Sequence, residues 1–195
     1  MPTLFDLRTE LLAEIREASP ASTLFDLGCG YSCEDGFVGV DKFAIGPNIK
    51  NADLYGRWPW ADGSVDYFRS SHFVEHVPDF YHHFTEAWRC LKPGGYYEII
   101  APFYQSRRFY QDPDHRQPIS QERFLYLQQP WVRAMKLEHG RPRVNFSILQ
   151  WFEVLHDDFK DLSDDAIDWH RKHSFNVVED IATILKKEEL MPDAT

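Results

Sequence analysis

Apolar residues recur at helical spacing near the start of the chain. The positions that share this spacing are Leu4, Leu7, Leu11 and Ile15. Acidic residues lie between them, so the segment predicts an amphipathic helix that ends at Ser19 and Pro20. These acids are not typical of a secretory signal peptide, which has a basic start and an apolar middle.

Five predicted strands follow, of which the third has only a weak strand pattern. They span residues 24–27, 37–40, 48–53, 65–70 and 96–101. Before the fifth segment, Asp79 is a predicted helix cap, and apolar residues recur at helical offsets until Pro93 and Gly94 end the helix. His82 and His83 lie on this helix, where we predict a solvent-exposed pair.

The second half of the chain is less regular. Residues 103–118 form a predicted polar and aromatic loop, and Ser120 caps a predicted short helix. Strand patterns at residues 145–154 and 177–186 flank another predicted helix at residues 166–175. Because strands and helices alternate in the first half of these 195 residues, we predict one α/β domain with a doubly wound sheet.

The first two predicted strands end in residues suited to a nucleotide-like ligand. Gly28, Cys29 and Gly30 follow the first strand, and the two glycines let the backbone turn tightly and approach a ligand. Asp41 ends the second strand, where a carboxylate can accept hydrogen bonds from both ribose hydroxyls. The alternative is an ordinary strand-to-loop turn, because an isolated Gly-x-Gly sequence occurs in many proteins.

Asp26, Gly28 and Gly30 form an Asp-x-Gly-x-Gly sequence that resembles class I S-adenosylmethionine-dependent methyltransferases. A dehydrogenase fingerprint would need a third glycine three residues later, but none follows until Gly36. Three further segments are similar to the family in the family's order, at residues 58–66, 70–77 and 91–95. The chain from Asp112 onward also looks like a bacterial methyltransferase type 11-like subgroup that is often associated with surface-glycan genes.

This resemblance implies a Rossmann-like mixed sheet of about seven strands, the last antiparallel, in a single domain over residues 1–195. Residues 1–22 would form the N-terminal helix, residues 23–102 the cofactor-binding half and residues 103–195 the acceptor-side half with the closing strands. The implied cofactor is S-adenosylmethionine. The implied cofactor-binding residues are Asp26, Gly28, Cys29, Gly30, Asp41, Lys42, Asp53, Leu54, Ser71 and His72.

The resemblance also implies a binding role for several of these residues. Asp41 would hold the ribose, and Asp53 with the backbone of Leu54 would meet the adenine edge. Ser71 and His72 would lie near the sulfonium. The chain departs from the family between its first two strands, since residues 31–36 are too few for the usual helix. Loop amides would then hold the methionine carboxylate, and the N-terminal helix is the candidate cover for the first strand.

Two histidines, His115 and His72, are the candidate catalytic residues. If the acceptor is a hydroxyl, a base must take its proton, a contribution of about 10²–10⁴ in rate. Histidine suits this task near neutral pH. For His115 the alternative is a hydrogen bond to Asp112 or Asp114 that stabilises the loop.

His72, Glu75 and His76 also match the inverted zinc-protease pattern His-x-x-Glu-His. The sequence marks neither a third ligand nor a substrate cleft, and Pro78 limits any helix at this position. The same residues fit the methyltransferase segment that follows the fourth strand. We therefore predict no metal.

Composition limits the classes of partner that this protein is expected to bind. A formal net charge of −10 disfavours a nucleic-acid partner. No apolar run approaches the roughly 20 residues that span a bilayer, so we predict no membrane partner. Three cysteines without a CxxC pair fit a reducing cytoplasm. The oligomeric state stays open.

Together these observations predict a cytoplasmic S-adenosylmethionine-dependent methyltransferase (EC 2.1.1.-). Its acceptor would be a hydroxyl or amine of a small molecule or glycan. Two alternatives remain open at this point. One is an S-adenosylmethionine-binding partner subunit that transfers nothing, and the other is an enzyme that cleaves S-adenosylmethionine.

Overall fold

The computed structural model describes residues 3–43 and 46–192. Its strands are β1 Leu24–Leu27, β2 Val38–Asp41, β3 Ile49–Asn51, β4 Val65–Ser71, β5 Leu91–Pro102, β6 Phe146–Leu155 and β7 Val178–Lys187. Its helices are α1 Leu4–Ala18, α2 Phe80–Cys90, α3 Arg107–Gln111, α4 Gln121–Leu125, α5 Gln129–Ala134 and α6 Asp164–His173. Single 3₁₀ turns lie at Val74–His76 and Asp157–Phe159. None of the helices in these described ranges is both long and apolar enough to cross a membrane.

The seven strands form one mixed sheet in the order β3-β2-β1-β4-β5-β7-β6. Strands β1 to β5 pair in parallel, whereas β7 is antiparallel to both of its neighbours, β5 and β6. The last strand alone therefore runs against the others among the described residues. This confirms the predicted Rossmann-like doubly wound sheet of about seven strands with an antiparallel last strand.

Helix α1 covers one face of the sheet. Thr3 caps the helix, because its hydroxyl accepts from the Asp6 amide at 3.1 Å and the Asp6 carboxylate accepts from the Thr3 amide. The buried residues of the helix pack on side chains from β1, β4 and β7, and this cluster contains Leu11, Leu12, Leu24, Phe37, Tyr67 and Ile184. The predicted cover for the first strand is thus confirmed.

Helix α2 covers the other face. The Asp79 carboxylate accepts from the His82 amide at 3.0 Å, which confirms the predicted cap. Phe84 and Ala87 are fully buried in the larger core cluster with Phe68 of β4. Since Tyr67 and Phe68 belong to opposite clusters, β4 carries apolar side chains on both faces, as a central parallel strand does.

The prediction that both histidines of α2 are exposed was wrong for His83. His82 is exposed, but His83 is only 1% exposed because it follows Phe80 by three residues and so shares its buried helix face. Its Nε2 lies 2.8 Å from the Tyr97 hydroxyl. Burial lowers the pKa of His83 to about 3.

We expect this histidine to make the fold sensitive to acid. Between pH 6.5 and 3 this histidine is protonated in the unfolded chain but neutral in the folded protein. Acidification therefore favours unfolding. Between pH 7 and pH 5 the wild type should lose about 2 kcal/mol more unfolding free energy than His83→Gln. Urea titrations at both pH values measure this difference. Equal losses in the two proteins would contradict the assignment.

The second half departs most from the sequence prediction. Helix α3 lies inside the predicted loop, and α5 lies in a segment for which no helix was predicted. Both are too short for a period of 3.6 to show in the sequence. Helix α2 ends at Cys90, and β5 begins at Leu91 rather than at the predicted residue 96, with an irregular pairing between Val65 and Tyr67.

Candidate functional site

A cavity of about 360 Å³ opens beyond the carboxyl ends of β1, β2 and β4. Parallel α/β sheets bind ligands at this edge. Six of the predicted cofactor-binding residues line the cavity: Gly28, Asp41, Lys42, Asp53, Leu54 and His72. Other residues of the lining are Phe43, Ala52, Tyr55, Phe73, His76, Asp114 and Arg116.

The glycine turn lies against the cavity in a conformation that a side chain would not tolerate. Gly28 has a φ of +65°, and its amide donates to the Val40 carbonyl at 2.8 Å. A Cβ at Gly28 would lie 2.7 Å from Phe73 Cβ and closer still to the Phe73 ring. The turn therefore requires glycine both for its backbone and for the packing of Phe73.

The Asp41 carboxylate is held by two backbone amides at the tip of β2. Its Oδ2 accepts from the Gly30 amide at 3.0 Å, and its Oδ1 accepts from the Phe43 amide at 2.8 Å. These bonds join the turn after β1 to the tip of β2. A carboxylate at the tip of the second strand is the group that can accept hydrogen bonds from ribose hydroxyls.

The outer wall of the cavity carries an ion pair. Lys42 Nζ lies 2.7 Å from Asp53 Oδ2, and both side chains are nearly half exposed. The Lys42 ammonium lowers the pKa of Asp53, which also accepts from the Tyr55 amide. Leu54 is 4% exposed and adds an apolar contact to this wall. Such a wall offers hydrogen bonds and apolar surface to a planar ring.

A smaller neighbouring cavity is lined by three other predicted residues, Asp26, Cys29 and Ser71, together with Glu34 and Arg69. Asp26 is buried, and its carboxylate accepts from the Glu34 amide at 2.9 Å and pairs with Arg69 at 3.0 Å. Asp26 therefore holds the loop that stands where the family has a helix. Its predicted contact with the cofactor stays a prediction, as do those of Cys29, Gly30 and Ser71.

Cys29 is not an activated nucleophile. Burial raises its pKa to about 11, so the thiol stays protonated near neutral pH. Cys33 has a raised pKa for the same reason, and burial raises that of Cys90 to about 12. The chemistry of the site therefore depends on other groups.

His72 lies at the junction of two openings. It lines the main cavity and also an open cleft formed with Arg108, Asp112 and His115. Its φ of +54° is uncommon for a residue with a side chain, and such outliers cluster at functional sites. Glu75, whose Oε1 lies 3.5 Å from His72 Nδ1, raises the pKa of His72.

His115 reaches the same region from a distant segment. Its side chain is 8% exposed, and Nδ1 lies 2.8 Å from the Phe109 carbonyl. Nε2 lies 3.9 Å from both Glu75 Oε1 and Asp112 Oδ2. In the alternative to a catalytic role, His115 forms a hydrogen bond to an aspartate, but the structure has one to a backbone carbonyl instead.

Backbone contacts bring this segment to the site. The amides of Arg116 and Gln117 donate to the Glu75 carbonyl at 2.7 and 2.9 Å. Gln117 Nε2 also donates to the Val77 carbonyl at 2.8 Å. These contacts place Asp114 and Arg116 on the cavity, a role that no local pattern in the sequence indicated.

Comparisons with known proteins agree with this fold. Residues 5–99 match the family model described as a methyltransferase domain. An S-adenosylmethionine-dependent methyltransferase from Archaeoglobus fulgidus has a similar structure, with a TM-score of 0.51, 21% identity, and coverage of 92% of this chain and 94% of the other. A Mesorhizobium loti S-adenosylmethionine-dependent methyltransferase aligns with a TM-score of 0.51 and 15% identity, over 92% of this chain and 96% of the other.

A third similar structure is a complex between a methyltransferase and the Trm112 methyltransferase activator of Haloferax volcanii. It aligns with a TM-score of 0.54 and 15% identity, over 93% of this chain and 89% of the other. At these identities the structural likeness shows a shared fold. No curated protein matches the chain in sequence.

Proposed function

We propose that this chain, whose residues 5–99 match the methyltransferase-domain family model, transfers a methyl group from S-adenosylmethionine to a hydroxyl or amine. The acceptor in this proposal is a small molecule or a glycan, and the reaction takes place in the cytoplasm. Residues 23–102 serve the cofactor and residues 103–195 the acceptor, within one domain.

The observation that carries this proposal is the pairing of Gly28 and Asp41 on one cavity. Gly28 brings backbone close to the ligand, and the fixed Asp41 carboxylate accepts from a diol at the adjacent strand end. The cavity also offers Leu54 and Asp53 to an adenine ring. Its volume of about 360 Å³ lies in the range typical of small-molecule sites. The residues present therefore fit the cofactor.

When bound, S-adenosylmethionine supplies a methyl group that its sulfonium has already activated. The protein then has to align the acceptor atom and take its proton. His72 suits this task better than His115, because it is 43% exposed and lines both openings. The Glu75 carboxylate beside it stabilises the imidazolium that forms when His72 accepts the proton.

We expect Asp41→Ala to weaken S-adenosylmethionine binding about 100-fold or more. The substitution removes the charge-assisted bonds to the ribose, each about 1.5–3 kcal/mol, and frees the Gly30 amide. Isothermal titration calorimetry measures the change. Asp161→Ala is the control, since Asp161 is an exposed acid outside the cavity lining. An unchanged Kd for Asp41→Ala would place the cofactor elsewhere.

A partner subunit without transfer activity is the second candidate, and the missing helix between β1 and β2 favours it. Incubation of the full chain with S-adenosylmethionine and a panel of hydroxyl and amine acceptors separates the two. A methylated product supports transfer, whereas binding without product across the panel supports the partner subunit. Product analysis without any acceptor would reveal cleavage of S-adenosylmethionine.

A further inference from the structure

Glu75 is a buried carboxylate without hydrogen bonds to its oxygens. The side chain is 0% exposed, and neither Oε1 nor Oε2 has a hydrogen-bond partner among the residues that the structure describes. The nearby Nδ1 of His72 lies 3.5 Å away, at ion-pair distance only. An isolated buried carboxylate is costly, so its position requires a cation or a proton beside it.

Two imidazoles face this carboxylate. Glu75, His76 and His115 each offer one ligand atom, and these three atoms all lie within 4.8 Å of one another. The rings of His76 and His115 meet edge to face, with centroids 4.7 Å apart. The cluster therefore combines one carboxylate oxygen and two ring nitrogens from segments about forty residues apart.

The tautomer of His115 shows what is missing between these groups. Its Nδ1 lies 2.8 Å from the Phe109 carbonyl, which can only accept, so Nδ1 carries a hydrogen. In the neutral ring, Nε2 then carries no hydrogen and presents a lone pair, and it lies 3.9 Å from Glu75 Oε1. Two acceptors thus approach each other in a buried place. A backbone carbonyl on the other ring nitrogen is also typical of metal-ligating histidines.

We propose that Glu75, His76 and His115 bind one divalent transition-metal ion, with zinc as the best chemical match. Two imidazoles and a carboxylate form a ligand set typical of zinc, whereas magnesium and calcium prefer oxygen ligands alone. Tetrahedral zinc places its ligand atoms ~3.4 Å apart, so the three groups need to close by a small movement. The proposal departs from our sequence-based prediction that the chain binds no metal, which zinc analysis would test.

The position of the cluster indicates what the ion would do. His76 lines the main cavity and His115 lines the open cleft, so the ion lies between the two openings. Three protein ligands leave a coordination position for an oxygen, as in catalytic zinc sites. Resting on the proposed function, the ion binds the acceptor oxygen and makes its proton easier to remove, next to His72. The metal site itself stands without that function.

The test is zinc binding by the full chain after chelator treatment and dialysis. Calorimetry with zinc sulfate should give one ion per chain, and elemental analysis should confirm the ratio. Glu75→Gln and His115→Gln should each weaken the binding about 100-fold or more, since loss of an outer-shell partner alone costs 10–100-fold. His173→Gln is the matched control, because His173 is an exposed helix histidine outside the cluster, and it should leave the affinity unchanged.

A second measurement covers the case in which a variant folds poorly. Cobalt(II) added to the wild type should produce the visible absorption of a tetrahedral site, and one equivalent of zinc should remove it. Failure of the wild type to bind one ion, or equal affinities in the wild type and both cluster variants, would overturn the site. Zinc binding without S-adenosylmethionine binding would refute the proposed function alone, and the reverse result would refute the metal site alone.

Discussion

Gly28→Ala is expected to remove measurable S-adenosylmethionine binding and to lower the unfolding free energy by about 2–5 kcal/mol. The backbone φ of +65° strains any residue with a Cβ, and the new atom would overlap Phe73. Rotation of the ring does not relieve this overlap, because Phe73 Cβ itself would lie 2.7 Å away. Phe73 or the turn must therefore shift, and both line the cavity. Calorimetry and urea unfolding measure the two effects.

Gly63→Ala separates backbone strain from the loss of space. Gly63 has nearly the same φ, +62°, but a Cβ there would meet nothing within 4 Å. This control should lose only about 1–2 kcal/mol of unfolding free energy and keep the cofactor affinity of the wild type. Equal effects of the two substitutions would show that the contact with Phe73 has no part in shaping the site.

Arg69→Met is expected to lower the unfolding free energy by about 3–5 kcal/mol, because it leaves the buried Asp26 carboxylate without its cation and takes one of two arginines from Glu98, which keeps Arg8 at 3.5 Å. Arg69 lies 3.0 Å from Asp26 and 3.6 Å from Glu98, whose side chains are 2% and 0% exposed. It also lies 3.2 Å from Glu34 in the loop after β1. Urea unfolding at pH 7 measures the loss.

The pH dependence of this loss identifies its cause. Burial raises the pKa of both Asp26 and Glu98, and removal of Arg69 raises each pKa further. An acid with a raised folded-state pKa favours folding at low pH, and this contribution disappears as the pH rises through that pKa. The deficit of Arg69→Met should therefore shrink between pH 7 and about pH 4.5. A constant deficit would point to lost packing instead.

Arg171→Met is the control for burial, because Arg171 also pairs with two carboxylates but lies near the surface. Arg171 pairs with Glu153 and Asp168 at 2.5 and 2.6 Å, but its side chain is 39% exposed. Water screens such pairs, so the substitution should cost less than about 1 kcal/mol. The contrast between the two arginines measures the effect of burial on an ion pair.

The sequence by itself determined the strands and the glycine turn that border the main cavity. Strands β1, β2 and β4 lie within one residue of their predicted positions, because short apolar runs bounded by turn residues are local signals. Gly28 and Asp41 follow directly, since parallel strands end at the same edge of a sheet. The antiparallel last strand was predicted from the family resemblance, and the observed topology confirms that strand.

Only the tertiary structure decided which polar groups are buried and desolvated. The contact between Glu75 and His115 joins residues forty positions apart, and the burial of His83 depends on the rotation of α2 against β5. The short helices α3 and α5 also form without a helical period of their own. A sequence pattern reports the preference of each segment for one face, whereas desolvation and long-range contacts follow from how the segments pack together.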